Sequence, residues 1–125
     1  MGNASGSVAI DTKNPTVVIS DGTPGVASDG SPVVAYTVTF SEAVTTFGAD
    51  DLNIAGGQLV ADSFSGSGRV YTFSVEAFND STAPITVDIA GAAAIDAAGN
   101  TSIAAEQASQ AVDTVNPTVV IDLQA

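Results

Sequence analysis

Side chains that carry oxygen make up most of the chemistry that this sequence offers. The chain has 14 Asp and Glu residues against 2 Lys and Arg residues, which gives a formal net charge of −12. Since it has no Cys and no His, thiolate and imidazole metal sites are excluded, together with the commonest general base and the strongest nucleophile. The chemistry that remains is the binding of a hard cation. Ca²⁺ fits best because it takes about six to eight oxygen ligands in flexible geometry.

Five residues are the predicted ligands of such an ion: Asp11, Glu42, Asp96, Asn100 and Asp113. In a β-sandwich whose chain reverses direction at each loop, alternate loops meet at the same end. We therefore expect the first four at one end, the first pole, and Asp113 at the opposite end, the second pole. The first pole should also receive Asp50 and Asp51, and the second pole should receive Asp21, Asp29, Asn79 and Asp80. Clustered carboxylates repel one another, and a bound cation would remove the repulsion.

Other interpretations of these acidic residues remain open at this level. Surface acidity commonly serves solubility. Asp11 and Asp113 could each cap a turn before an Asn-Pro corner, and residues 96–100 could form an Asx-turn with Gly99 at positive φ. Mg²⁺ fits less well because it demands near-octahedral geometry and keeps its waters. The twelve-residue helical calcium loop is not present, since its D-x-D-x-D-G spacing with a terminal Glu is missing.

A segment near the start of the chain recurs near its end. Residues 9–19 read AIDTKNPTVVI and residues 111–121 read AVDTVNPTVVI, so Asp11 and Asp113 are 102 residues apart. Recurrence at the spacing of one domain is typical of a tandem array. We therefore predict a flexible lead-in over residues 1–8, one module over residues 9–115, and the first strand of a following module over residues 116–125.

The sequence between the two copies has the pattern of short strands separated by turns. Residues 33–41 and 70–78 alternate between apolar and polar side chains, which is the period of a half-buried strand. The predicted strands are 16–20, 33–41, 52–54, 59–64, 70–78, 84–89 and 108–113, with a hairpin turn at Gly66–Gly68, a loop anchored by Phe47 and a structured loop over 91–105. About seven strands at this spacing predict an antiparallel β-sandwich, with a β-barrel as the alternative.

Three short motifs connect the acidic residues to a known family. They are FSEAV at 40–44, DAAGN at 96–100, and VDT at 112–114 followed by PTV at 117–119. Together they resemble bacterial immunoglobulin-like tandem repeats of giant RTX-type surface adhesins, including biofilm and ice-binding adhesins. The resemblance implies an immunoglobulin-like fold, a secreted or cell-surface location and Ca²⁺ at module junctions. It matches Asp11 and Asp113 to the acidic junction position, Glu42 to a Ser-Glu-Ala/Pro-Val element, and Asp96 and Asn100 to an Asp-x-x-Gly-Asn loop.

The predicted function is that of a structural extender, or stalk, module of an adhesin, in which Ca²⁺ locks neighbouring repeats in line. We expect the module to be monomeric, to contact neighbouring repeats of its own chain, and to bind no nucleic acid because both are acidic. No apolar run of membrane-spanning length occurs, so no membrane insertion is expected. The alternative is a module that binds a glycan or a host protein, with Phe47 and Phe78 as the candidate aromatic residues. Catalysis is not expected, because no nucleophile–base pair is present.

Overall fold

The computed structural model describes residues 10–22, 25–119 and 121, and the predicted lead-in over residues 1–8 lies outside them. Short strands account for most of the ordered elements, and a 3₁₀ helix over Ala49–Asp51 precedes the fourth strand. In chain order the strands are β1 Val17–Asp21, β2 Ala27–Ser28, β3 Val33–Thr45, β4 Leu52–Ala55, β5 Gly57–Leu59, β6 Ser65–Ala77, β7 Ile85–Ile89, β8 Ile95–Asp96, β9 Ala108–Gln110 and β10 Val112–Asp113.

Two antiparallel sheets form the body of the molecule. The larger sheet has the order β1-β3-β6-β5, and β8 also pairs with β3, while the smaller sheet has the order β4-β7-β9. The pair β2 and β10 is parallel and joins the segment after β1 to the last strand. Apolar residues from both sheets make one continuous core. The fold is therefore the immunoglobulin-like antiparallel β-sandwich that the sequence predicts.

Period-two alternation places the core side chains. Val34, Tyr36, Val38 and Phe40 of β3 are buried, while their neighbours along the strand are exposed or half-buried. The same alternation buries every second residue of β6 from Tyr71 to Ala77 and of β7 from Ile85 to Ile89. Because successive side chains of a strand point to opposite faces, each of these strands gives one face to the core. These three predicted strand faces are confirmed.

An aromatic cluster fixes the connection between β3 and β4. Phe47 is buried in it, and its ring centroid lies 5.1 Å from that of Phe40 and 5.0 Å from that of Tyr71. Its predicted role as the anchor of this loop is confirmed. Phe78, the other aromatic residue considered for ligand binding, is 50 % exposed at the end of β6.

The sequence-based boundaries are wrong in the middle of the chain. The predicted strand 59–64 is interrupted, since β5 ends at Leu59 and a turn at Ala61–Asp62 follows, after which the Ser63 side chain hydrogen-bonds to the backbone of Ser74 in β6. Asp62, which was predicted on a strand, has a φ of 61°, a conformation that Asp tolerates in turns. The predicted hairpin turn at Gly66–Gly68 is confirmed inside the stretch assigned to β6, because the hydroxyl oxygens of Ser65 and Thr72 lie 3.2 Å apart across it. Glycine is needed at Gly66, where a Cβ would stand 2.4 Å from the carbonyl oxygen of Val70.

The last predicted strand, 108–113, is two strands in the structure, because its two halves pair with different partners. β9 pairs with β7, whereas β10 pairs with β2. The break falls at Ala111, whose carbonyl oxygen accepts a hydrogen bond of 2.9 Å from the Ala27 amide. The buried Gln110 side chain holds this crossing by donating to the carbonyl oxygens of Gly25 at 2.7 Å and of Ala111 at 3.0 Å.

The core contains one polar atom that we expect to reduce stability. Among the described residues, the buried hydroxyl of Tyr36 has no hydrogen-bond partner, and burial followed by the negative charge of Asp21 raises the pKa of Tyr36 to about 12. Leaving a buried donor unpaired costs about 1–3 kcal/mol. Tyr36→Phe should therefore leave the free energy of unfolding unchanged or raise it by about 1 kcal/mol, as measured by urea denaturation.

Tyr71→Phe is the matched control for this substitution. The Tyr71 hydroxyl donates to the carbonyl oxygen of Val44 at 3.4 Å, so its removal should lower the free energy of unfolding by about 0.5–1 kcal/mol. A Tyr36→Phe protein that is less stable than Tyr71→Phe would contradict the prediction.

Candidate metal centre

The pairing of β8 with the end of β3 assembles the acidic cluster. β1 pairs with β3 as far as Phe40, and β8 continues along the strand, with Val44 opposite Asp96. Glu42 is therefore placed on a strand, not in the loop where the sequence put it, because β3 continues through an irregularity between Thr39 and Val44. Asp11 arrives from the segment that precedes β1.

Three carboxylates converge at this first pole. Asp11, Glu42 and Asp96 each offer one carboxylate oxygen, and these oxygens all lie within 4.8 Å of one another. Asp96 is buried, Glu42 is half-buried and Asp11 is exposed, so the cluster reaches from the core edge to the surface. Oxygens bound to one Ca²⁺ at 2.3–2.6 Å lie at about this separation. The three predicted carboxylate ligands of the first pole are thus brought together.

Asp96 is held by a local network of hydrogen bonds. Its Oδ1 accepts from the backbone amides of Ala98 at 2.9 Å and Asn100 at 2.8 Å, and the Gly99 amide donates to its carbonyl oxygen at 3.1 Å. Gly99 has a φ of 89°, which closes the loop in a conformation that glycine adopts without steric cost. The Asx-turn interpretation of residues 96–100 is confirmed.

The side-chain amide of Asn100 links Asp96 to Asp11. Its Nδ2 donates to Asp96 Oδ2 at 3.0 Å and to the carbonyl oxygen of Asp11 at 2.8 Å. The side chain thus acts as a donor that positions both acids. Its role as an oxygen ligand stays a prediction.

Asp11 and Asp113 adopt the same local turn in different surroundings. The Lys13 amide donates to Asp11 Oδ1 at 3.0 Å, and the Val115 amide donates to Asp113 Oδ1 at 3.2 Å. The capped-turn interpretation of both is confirmed. Asp113 itself lies on β10 beside Ser28, and it belongs to no group of three acidic ligands among the described residues.

The pKa values of two acids in the cluster are shifted in opposite directions. Burial, and then the negative charges of Asp11 and Asp96, raise the pKa of Glu42. The Asn100 side chain, followed by the backbone amides of Asn100 and Ala98, lowers the pKa of Asp96. Hydrogen-bond donors therefore stabilise the carboxylate form of Asp96, while its neighbours' negative charges disfavour the carboxylate form of Glu42.

The other acidic residues assigned to the poles do not all join a cluster. Asp51 Oδ2 accepts a hydrogen bond of 2.8 Å from the Gly48 amide, and Asp50 and Asp51 lie beside Asp88 rather than in the cluster of three. These two residues lie next to the start of β4 and the end of β7, outside the group of three carboxylates, and their place at the first pole stays a prediction. Asp29 and Asn79 line one cavity of about 260 Å³ next to Thr114, as expected for the second pole.

Thr114 is a structural residue that the sequence analysis missed. Its side chain is 1 % exposed, and its hydroxyl donates to the carbonyl oxygen of Phe78 at 2.6 Å and accepts from the Ser81 amide at 2.9 Å. Its own amide donates to the carbonyl oxygen of Ser81 at 2.8 Å. The recurrence of the Asp-Thr pair in both copies of the repeated segment was the pattern that could have identified it.

The fold and a family comparison define the class of protein. Two antiparallel sheets with a parallel link between β2 and β10 make an immunoglobulin-like sandwich. A family model described as "Bacterial Ig-like domain" matches residues 11–112, so the chain belongs to this family. The match begins at Asp11 and ends immediately before Asp113.

This family is typical of extracellular surface proteins, where its members are structural or adhesion modules, and the chain fits such a module. No significant match is found among curated proteins or among solved structures. None of the helical segments in the described residues has the length and apolar character needed to cross a bilayer.

The opposite pKa shifts predict a stability maximum at mildly acidic pH in buffer free of divalent cations. Because the pKa of Glu42 lies above its ordinary value of 4.5, the free energy of unfolding should rise as the pH falls through that raised pKa. Because the pKa of Asp96 lies below its ordinary value of 3.8, its contribution is present above 3.8 and is lost as the pH falls through the lowered pKa. Urea unfolding at pH steps from about 7 to 3 measures both changes.

Glu42→Gln serves as the comparison. The rise on mild acidification should disappear in this variant, while the loss at lower pH remains. Identical pH profiles for the two proteins would show that Glu42 does not carry the repulsion.

Proposed function

We propose that this chain is an extender module of an RTX-type bacterial surface adhesin and that it binds Ca²⁺ at the first pole. The observation that carries the proposal is the convergence of the Asp11, Glu42 and Asp96 carboxylates within 4.8 Å. The charges that act on Glu42 come from the other two acids, and no cation is among them. A divalent ion would reduce three adjacent negative charges to one.

The donor set suits Ca²⁺ better than other biological cations. Every side-chain ligand in the cluster is a carboxylate, and a hard cation prefers oxygen. Asp11 and Asp96 already accept hydrogen bonds from backbone amides, so their remaining oxygen positions give an irregular site open on the exposed side of Asp11. Ca²⁺ tolerates irregular coordination completed by water, whereas Mg²⁺ demands near-octahedral geometry. Calcium sites of other extracellular modules have dissociation constants on the order of 10⁻⁴–10⁻³ M, and we expect a value in this range.

The repeated segment supports an extended array as the context of the module. The spacing of 102 residues between Asp11 and Asp113 equals the length matched by the family model, so one repeat and one domain have the same size. In such an array Asp113 takes the place of Asp11 in the following module. An ion bound there would hold the joint residue against the next sandwich. The array would then act as a spacer that keeps a terminal adhesive domain away from the cell.

Ca²⁺ should raise the melting temperature of the isolated chain. A ligand that binds only the folded state adds about 2.7 kcal/mol to the free energy of unfolding at 100 times its dissociation constant. Differential scanning calorimetry with CaCl₂, with MgCl₂ and with EDTA measures the shift, and isothermal titration gives the affinity. Mg²⁺ should give a smaller shift.

Glu42→Gln gives a sharper test, because it should act in opposite directions with and without the ion. In EDTA the variant should be more stable than the wild type, since the repulsion is relieved. In Ca²⁺ it should gain less, since one ligand is lost. Asp62→Asn is the matched control, because it removes one exposed acid from a turn that is not part of the cluster and should retain the full response. Equal calcium responses in all three proteins would refute the proposed site.

A further inference from the structure

The two copies of the repeated segment, residues 9–19 and 111–121, differ in which half is buried. In the first copy Ile10 is 81 % exposed and Thr12 is exposed. The equivalent residues of the second copy, Val112 and Thr114, are 5 % and 1 % exposed. The leading half of the segment is therefore packed only where a sandwich precedes it along the chain.

The trailing half shows the reverse pattern. Pro15 is fully buried and Val17 is 6 % exposed in the first copy, whereas Pro117 is exposed and Val119 is 84 % exposed in the second. The trailing half is packed only where a sandwich follows it. Since the two copies share these residue types, the difference arises from position along the chain and not from composition.

Polar contacts hold the first copy to the sandwich that follows it. Asn14 Nδ2 donates to the carbonyl oxygen of Thr101 at 2.6 Å, and the Ile103 amide donates to the carbonyl oxygen of Pro15 at 3.0 Å. Asn100 Nδ2 also donates to the carbonyl oxygen of Asp11. We call these three contacts the forward clamp.

Polar contacts of different atoms hold the second copy to the sandwich that precedes it. Thr114 forms hydrogen bonds with Phe78 and Ser81, and Val112 and Asp113 pair with β2. We call these contacts the backward clamp. The two clamps use different positions of the repeated segment, with one exception. The Asp of the segment takes part in both, since the carbonyl oxygen of Asp11 accepts a hydrogen bond in the forward clamp and Asp113 pairs with β2 in the backward clamp.

We propose that each joint between tandem modules is held by both clamps at once. Only one residue of the segment, at the position of Lys13 and Val115, would then lie between the residues of the backward clamp and those of the forward clamp. This inference rests on the tandem arrangement proposed above. The joint surface is the second pole around Phe78 and Ser81, and its partner is the first pole of a second copy of this module. The Asx hydrogen bond has nearly the same length in both copies, 3.0 and 3.2 Å, so the segment needs no local rearrangement to satisfy both clamps.

A two-module chain tests the proposal. Residues 1–121 joined directly to residues 20–125 give two complete sandwiches and a native joint, because Ile121 and Ile19 are equivalent positions of the repeat. Small-angle scattering should give one extended shape with two separated maxima in the pair-distance distribution. Thr114→Val at the joint removes the hydroxyl contacts of the backward clamp and should lower the radius of gyration and merge the maxima.

The same Thr114→Val substitution in the second module is the matched control. It removes the same contacts from a sandwich that has no module after it, so any loss of module stability is equal while the shape should not change. Asn116→Ala at the joint weakens the forward clamp independently and should also lower the radius of gyration. An already bent wild-type joint, or joint and control variants with the same scattering profile, would overturn the inference.

EDTA separates this inference from the calcium proposal. If the two-module chain stays extended in EDTA while Thr114→Val at the joint bends it, the clamps hold the joint whether or not the module binds Ca²⁺. If EDTA alone bends the wild-type chain as much as the variant does, the ion holds the joint and the clamp proposal is wrong. A melting temperature that does not respond to Ca²⁺ would count against the calcium site only.

Discussion

The structure of the first pole depends on one buried carboxylate, Asp96. A buried charge is tolerated only when hydrogen bonds replace its lost hydration. Asp96 receives two backbone amides and the side-chain amide of Asn100, and its pKa is lowered as a result. The same donors close the loop after β8 and, through Asn100, fasten the backbone of Asp11. The hydrogen bonds of Asp96 and Asn100 therefore close the loop after β8, attach the segment that precedes β1, and hold the acidic cluster together.

The cluster combines a satisfied acid with an unsatisfied one. Asp96 has its donors, whereas Glu42 lies on β3, where burial and then the negative charges of Asp11 and Asp96 raise its pKa. An arrangement that costs stability without an ion becomes a binding site when an ion neutralises it. This relation between repulsion and affinity makes the charge of Glu42, rather than that of the better anchored Asp96, the group whose removal distinguishes a cation site from an acidic surface. Surface acids such as Asp62 carry no such information, because water solvates each of them separately.

The two copies of the repeated segment pack opposite halves against the one sandwich described. Thr114 is buried against the loop after β6, and Pro15 is buried against the segment after β8. In the proposed array, a segment shared by two modules would leave little free chain between them. The bending of such an array would then be limited by hydrogen bonds within the protein itself, and the proposed Ca²⁺ would act on the same joint through the shared Asp.

The sequence by itself determined the properties that depend on neighbouring residues. Alternation along β3, β6 and β7 specified the core faces, and Asp96 with Gly99 specified a closed loop, because both patterns are local. Only the tertiary structure decided where strands end. β3 continues to Thr45 because β8 supplies partners to its end, and the last strand breaks at Ala111 because Ala27 takes its carbonyl oxygen. Hydrogen-bond partners from distant parts of the chain set these features, and no local pattern of residues encodes them.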